Sequence, residues 1–249
     1  MSPTEPSEIK IKELISLFDK KNFDKLLKLS NALLNKFPKS ILIQNIQGVV
    51  HTELKNYELA KNIFIKVVNL SPNYTDGYYN LGNIYNKLDE KEKAIKSYKK
   101  VIELDINYFK AHNNLGNIYR KKGLNKRAIE CYLSTLEINS NYKVAYYNLA
   151  GVLQFYILDE ENKNINKYLL HLLKEKIIVR PNSIAPNILN GLFLNTDLKN
   201  NLSLIKDKIT NEDFSYVLEN LQKNSLLIQF MKVCPIPDYL SLIHISEPT

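Results

Sequence analysis

The sequence predicts an all-α protein built from stacked helical hairpins. Three observations support this prediction: an internal repeat of 34 residues, apolar side chains at helical spacing within each repeat, and a low glycine content. Seven Gly in 249 residues disfavour a β-rich fold with many tight turns. Hydrophobic residues make up 45% of the chain and charged residues 24%, so the chain can bury a core.

The repeat is clearest in a segment of eight residues. Tyr78–Tyr85, with the letters YYNLGNIY, recurs 34 residues later as HNNLGNIY and again, more weakly, as YYNLAGVL from Tyr146. Stepping back by the same period from Gly82 reaches Gly48. We expect residues 1–6 to form an N-terminal tail. The period predicts an array over 7–158, with repeats at 7–40, 41–74, 75–108, 109–142 and a partial fifth at 143–158.

Each repeat is predicted to contain two helices. The apolar side chains of 75–108 form two stripes at helical spacing: Tyr78, Leu81, Gly82, Tyr85 and Leu88, then Ala94, Tyr98, Val101 and Ile102. We expect the small residues Gly82 and Ala94 to let the two helices approach closely. We also expect Asp89 and Glu92 to form a capping box at the start of the second helix. One hairpin cannot bury both stripes, so neighbouring repeats must stack.

This pattern resembles the tetratricopeptide repeat (TPR) family. The resemblance is strong over 75–142 and weak in the first repeat, where Leu14 takes the glycine position and Leu26 the alanine position. It implies a right-handed superhelical solenoid of about five hairpins, followed by a less regular helical segment. It also implies a concave groove, lined by the first helices, that binds an extended peptide or a partner protein.

The first helices carry two columns of asparagines, Asn80 with Asn114 and Asn148, and Asn83 with Asn117. A side-chain amide has one acceptor and two donors, so it can pair with the backbone of an extended peptide. The column resembles the asparagine ladder of O-linked N-acetylglucosamine transferases, and we expect its amides to have no intramolecular partners. The alternative is that these are solvated surface residues in an asparagine-rich chain. The candidate peptide-binding residues are Tyr79, Asn80, Asn83, Lys110, Asn113, Asn114, Asn117, Arg120, Lys121, Tyr147 and Asn148.

The formal net charge of +8 is weak evidence for nucleic-acid binding. Only three of the 34 basic residues are Arg, and abundant Lys, Asn and Ile are typical of an AT-rich genome. Two Cys cannot form a disulfide framework or a cysteine metal site. We therefore expect a cytoplasmic scaffold with no catalytic residues, no cofactor, no metal and no nucleic-acid or membrane partner. A basic cluster at Arg120–Arg127 leaves an acidic partner as an alternative.

Beyond Leu158 the period is lost, and 159–239 is predicted to be a helical connector. Through Pro235 and Pro237 it loosely resembles the connector between TPR arrays and methyltransferase-like domains. Residues 240–249 resemble the in-frame translation of a transposase sequencing adaptor, so we expect the natural frame to be cut near Tyr239. The alternative function is therefore the substrate-recognition part of a truncated glycosyltransferase or S-adenosylmethionine-dependent methyltransferase.

Deletion of residues 240–249 tests the adaptor interpretation. A foreign segment has no packing partners that evolved with it, so the melting temperature of the shortened chain should equal that of the full chain within error. A loss of several degrees would show that the segment belongs to the domain.

Overall fold

The computed structural model describes residues 5–153 and Tyr168. This part of the chain is helical and contains no strand, which confirms the all-α prediction. Its helices are α1 (Glu8–Asp19), α2 (Phe23–Lys36), α3 (Ile41–Glu53), α4 (Tyr57–Leu70), α5 (Thr75–Lys87), α6 (Lys91–Leu104), α7 (Phe109–Lys121), α8 (Asn125–Ile138) and α9 (Lys143–Leu153). The expected connector at 159–239 lies outside the described residues apart from Tyr168, and the adaptor-like residues 240–249 lie wholly outside them.

The 34-residue period sets where helices begin. First helices start at residues 41, 75, 109 and 143, and second helices at 23, 57, 91 and 125. The chain divides into two units, Met1–Ile118 and Tyr119–Thr249. In the N-terminal unit, α3 packs on α4, α4 on α5 and α5 on α6, so each helix pair contacts the next. In the C-terminal unit α8 packs on α9.

The core of the N-terminal unit crosses repeat boundaries. One cluster joins Ala60, Phe64 and Val68 of α4 to Leu81 and Ile84 of α5. Apolar burial of this kind is the dominant favourable term in folding. Because a hairpin shares its core with the next one, it depends on its neighbour for stability.

The turn inside each repeat is closed by the backbone rather than by a capping box. Lys21, Lys55, Asp89 and Gly123 all have positive φ, at steps of 34 residues. In the third repeat the next N–H, that of Glu90, donates to the carbonyl of Tyr85 at 2.8 Å, which is the Schellman pattern. The predicted Asp89–Glu92 capping box is therefore wrong, since Asp89 is the left-handed turn residue and α6 begins at Lys91.

A glycine beneath an aromatic ring brings the two helices of a repeat together. A Cβ at Gly82 would lie 2.8 Å from the ring of Tyr98, and one at Gly48 would lie 2.6 Å from the ring of Phe64. Gly82 therefore accommodates the ring of Tyr98, which lies on the same helix as Ala94. Both Tyr98 and Ala94 are fully buried in α6.

The first repeat reverses this pairing of small and large residues. Leu14 occupies the position of Gly48 and Gly82, and Ser30 occupies that of Phe64 and Tyr98. Both Leu14 and Ser30 are fully buried. A large residue on the first helix thus compensates for a small one on the second, which explains why the sequence pattern weakens here.

Part of the predicted N-terminal tail is held by the fold. The Glu5 carboxylate accepts a hydrogen bond from the backbone N–H of Ile41 at 2.9 Å and another from the hydroxyl of Ser40. It therefore lies at the N-terminus of α3, where a negative charge is favoured. Pro6 is buried. Glu5 and Pro6 are thus part of the folded array.

His51 stands where the later repeats have Tyr85 and Tyr119. It is half-buried, as a packed histidine would be, and its Nδ1 atom is buried without a hydrogen-bond partner among the described residues. Burial lowers the pKa of His51 below its ordinary value of 6.5. The folded chain therefore favours the neutral imidazole.

Gly82→Ala tests the contact with Tyr98. Overpacking should cost roughly 2–3 kcal/mol, while the better helix propensity of Ala offsets about 1 kcal/mol. We expect a net loss of roughly 1–2 kcal/mol in urea unfolding. Gly151→Ala is the matched control, because its Cβ would meet only the flexible end of Arg120 at 3.2 Å. The control should be neutral or stabilising, and an equal loss in both variants would contradict the account.

His51→Tyr tests the buried imidazole. Because the folded pKa lies below the unfolded one, the unfolded chain binds more protons as the pH falls through 6.5. The native chain should therefore lose stability on acidification, and His51→Tyr should lose less. Thermal unfolding at about pH 8 and about pH 5.5 measures the difference. Equal losses in the two proteins would show that His51 does not carry the effect.

Candidate peptide-binding surface

A hydrogen-bonded set of side chains links α5 to α7. The amide of Asn114 donates to Asn83 Oδ1 at 3.1 Å and lies 3.3 Å from the hydroxyl of Tyr79. Tyr98, on α6, donates its hydroxyl to the same Asn83 oxygen at 2.7 Å. Burial raises the pKa of Tyr98 well above its usual value, so its hydroxyl remains a donor at neutral pH.

The same link recurs one repeat earlier. Asn80 Nδ2 on α5 donates to Asn45 Oδ1 on α3 at 2.9 Å. Asn45 is equivalent to Tyr79, and Asn80 to Asn114, so both links join residues 35 positions apart. Successive first helices are therefore joined by an asparagine donor from the later helix. We call Asn45, Tyr79, Asn80, Asn83 and Asn114 together the first-helix face.

The expectation of amides with no intramolecular partner is wrong for Asn80 and Asn114. Each uses its Nδ2 to bridge to the preceding first helix. Asn148 also has a partner within the chain. The reason is physical: helices packed side by side bring polar side chains within reach, and a partly buried amide left unpaired would be costly.

Several polar groups of the first-helix face are left over after these bonds form. Asn80 keeps its Oδ1 acceptor, while Asn45 and Asn83 keep their Nδ2 donors. These three atoms have no hydrogen-bond partner among the described residues. All three side chains are half-buried. The face therefore offers both donors and an acceptor, in orientations fixed by the internal bonds.

Tyrosines flank this network. The ring of Tyr79 lies 6.1 Å from that of Tyr98 and 5.0 Å from that of Tyr108. Tyr108 follows α6, and its hydroxyl donates to Asp76 Oδ1 at 2.9 Å. Burial and then the hydrogen bond to Asp76 raise the pKa of Tyr108, so the phenol stays protonated.

The other candidates in the N-terminal unit differ in exposure. Lys110 is exposed and Asn117 is half-buried. Asn113 is only 2% exposed, so in this structure it packs inside the repeat and does not present its amide to a ligand.

The C-terminal unit holds the remaining candidates, on the end of α7 and on α9. Arg120 and Lys121 are exposed, and the guanidinium of Arg120 lies over Gly151. Tyr147 is 57% exposed, while Asn148 is half-buried. Burial raises the pKa of Tyr132, and the positive charge of Arg120 offsets only part of this rise, so that the pKa is about 12.

Three residues that build this surface are not predicted from the sequence: Asn45, Tyr98 as a hydrogen-bond donor, and Tyr108. Asn45 stands outside both asparagine columns, so the 34-residue period does not select it. The signal that could have found it is a spacing of 35, which joins Asn45 to Asn80 as it joins Tyr79 to Asn114. Tyr108 lies between helices, where helical spacing gives no signal, but the 34-residue period joins it to Tyr74 and Tyr142.

Residues 5–153 and Tyr168 offer neither a cluster of metal ligands nor a membrane-spanning helix. No group of His, Cys, Asp and Glu there could hold a metal ion. No helix there is both long and apolar enough to cross a membrane.

Family comparisons identify the repeats. Residues 43–74 and 109–142 match the Tetratricopeptide repeat, and residues 82–123 match a TPR repeat model. The chain therefore contains tetratricopeptide repeats over these segments. No curated protein sequence matches the chain.

Solved structures share the fold. The crystal structure of MamA is 23% identical, covers 65% of this chain and 93% of its own, and superposes with a TM-score of 0.56. That of YrrB, described as a TPR protein with an unusual peptide-binding site, is 20% identical, covers 71% of this chain and 87% of its own, and gives a TM-score of 0.53. At these identities the likeness concerns the fold.

Proposed function

We propose that this chain is a protein-interaction module that binds an extended peptide segment of a partner across the first-helix face. The observation that carries the proposal is the row of amides on α3 and α5 that retain donors and an acceptor after they bond one another and Asn114 of α7. Nothing in this role requires a catalytic group, a cofactor or a metal. Peptide binding by YrrB, a protein of the same fold, supports this reading.

The spare groups match the chemistry of an extended backbone. Each peptide unit offers one N–H and one C=O, which an extended segment does not satisfy internally. Asn80 Oδ1 can accept from the N–H, while Asn45 Nδ2 and Asn83 Nδ2 can donate to the C=O. Such pairing contacts the peptide backbone and therefore has little preference for the peptide's side chains.

The internal bonds add preorganisation to this chemistry. A flexible surface asparagine loses rotamer freedom when it binds, and that loss weakens the complex. Asn83 is held by Tyr98 and Asn114, and Asn80 by Asn45. The amides therefore lose less freedom on binding than solvated asparagines would. The same arrangement accounts for the ladder-like columns without requiring the enzyme alternative, whose other support, the connector expected at 159–239, lies outside the described residues apart from Tyr168.

Asn83→Asp tests the proposal without breaking the network. The aspartate keeps an oxygen for Tyr98 and Asn114 but replaces the spare Nδ2 donor with an acceptor. Losing a donor to a peptide carbonyl should cost about 1–3 kcal/mol, or roughly 5- to 150-fold in Kd. The ligand is a peptide selected on the wild-type chain from a random dodecamer phage library, and its Kd is measured by fluorescence anisotropy.

Asn62→Asp is the matched control, because it makes the same charge change on an exposed position of α4, a second helix. It should leave the Kd unchanged within about twofold. Failure to select any peptide, or equal losses in both variants, would contradict the proposal.

A further inference from the structure

We propose that Asp76, Tyr79 and Tyr108 form a subsite for a lysine or arginine side chain of the bound peptide. The inference rests on the proposed function and specifies the chemistry of its ligand. The three residues come from different places in the chain: the first turn of α5, the middle of α5, and the segment between α6 and α7. The fold brings them into one group at the end of the first-helix face.

The geometry combines a carboxylate with two aromatic rings. Tyr108 bonds Asp76 through its hydroxyl at 2.9 Å, and its ring lies 5.0 Å from that of Tyr79. The tyrosine bond occupies Asp76 Oδ1, while Oδ2 has no partner among the described residues. Asp76 is exposed and Tyr108 is half-buried, so a ligand can reach both.

Charge favours a cation in this position. Asp76 forms no ion pair within the described residues, although the chain carries a net charge of +8. A second carboxylate, that of Glu5, acts on the same residue as Asp76, namely Tyr74. Burial raises the pKa of Tyr74 most, and the negative charges of Asp76 and Glu5 raise it further. Glu5 also has no cationic partner among the described residues. The start of α5 is therefore a locally negative site on a positively charged chain.

The occupant follows from this combination of groups. Ammonium and guanidinium groups are attracted to the faces of aromatic rings, and a nearby carboxylate adds direct ion pairing. An acidic side chain would be repelled, and a neutral aliphatic one would leave Asp76 without a counter-charge. A lysine or arginine side chain satisfies the carboxylate and the rings together.

A small cationic probe tests the subsite independently of any peptide. N-acetyl-lysine methylamide and its uncharged analogue N-acetyl-norleucine methylamide are titrated into the 15N-labelled full chain. The lysine probe should give saturable shifts at the amides of Asp76, Tyr79 and Tyr108, with the norleucine probe at least roughly fivefold weaker. Asp76→Asn should remove the difference. Equal shifts from both probes, or unchanged lysine binding in Asp76→Asn, would overturn the inference.

Asp24→Asn is the control, since Asp24 also lies in the first turn of a helix, α2, but accepts no tyrosine hydrogen bond among the described residues, unlike Asp76. It should behave as the wild type, which separates a lost subsite from a lost charge at a helix N-terminus.

The phage library separates this inference from the proposed function. Peptides selected on the wild type should carry Lys or Arg at one position, and replacing it with Met should weaken binding by roughly 5- to 30-fold in the wild type but not in Asp76→Asn. Selected peptides without a basic residue would overturn the subsite alone. If the lysine probe binds and no peptide is selected, the subsite stands and the peptide-binding proposal fails.

Discussion

The contact of an aromatic ring with a glycine sets the spacing on which the rest of this structure depends. Phe64 and Tyr98 each lie so close to a first-helix glycine that no Cβ fits between them. The two helices of a hairpin are therefore held close together, and the side chains of the following helices must fit the spacing that results. Because hairpins share a core, as Phe64 of α4 does with Leu81 of α5, one such contact fixes the position of the next helix as well. In the first repeat, Leu14 and Ser30 fill the space that a glycine and an aromatic ring fill in the next two repeats, with the larger residue on the first helix.

The asparagine bridges follow from that spacing. First helices that pack side by side bring Asn80 to Asn45 and Asn114 to Tyr79, within hydrogen-bond distance. These bonds stabilise the array and at the same time fix the amides that we propose bind a peptide. A substitution such as Asn80→Ala would therefore change both stability and binding, whereas Asn83→Asp keeps the internal bonds.

The period of 34 predicted the helices because its landmark residues are packing residues. Gly48, Gly82, Ala94 and Tyr98 are buried, so their spacing reports directly where helices meet. The turns were predicted less well: three of the four left-handed turn residues are Lys or Asp, and only Gly123 carries the usual glycine signal. The partners of the asparagines could not be read from the columns, because a bridge joins neighbouring columns. Whether two such residues meet depends on how far one helix is displaced along its axis relative to the next. The packing of the core sets this displacement.

A crystal structure of the full chain with a peptide selected on it tests the central claim most directly. The account predicts an extended peptide lying along α3, α5 and α7, with a backbone N–H within hydrogen-bond distance of Asn80 Oδ1 and a backbone C=O at Asn83 Nδ2. The bridges from Asn80 to Asn45 and from Asn114 to Asn83 should be unchanged from the free chain. A peptide seated on α4 and α6, or one that leaves these asparagine amides without contact, would contradict it.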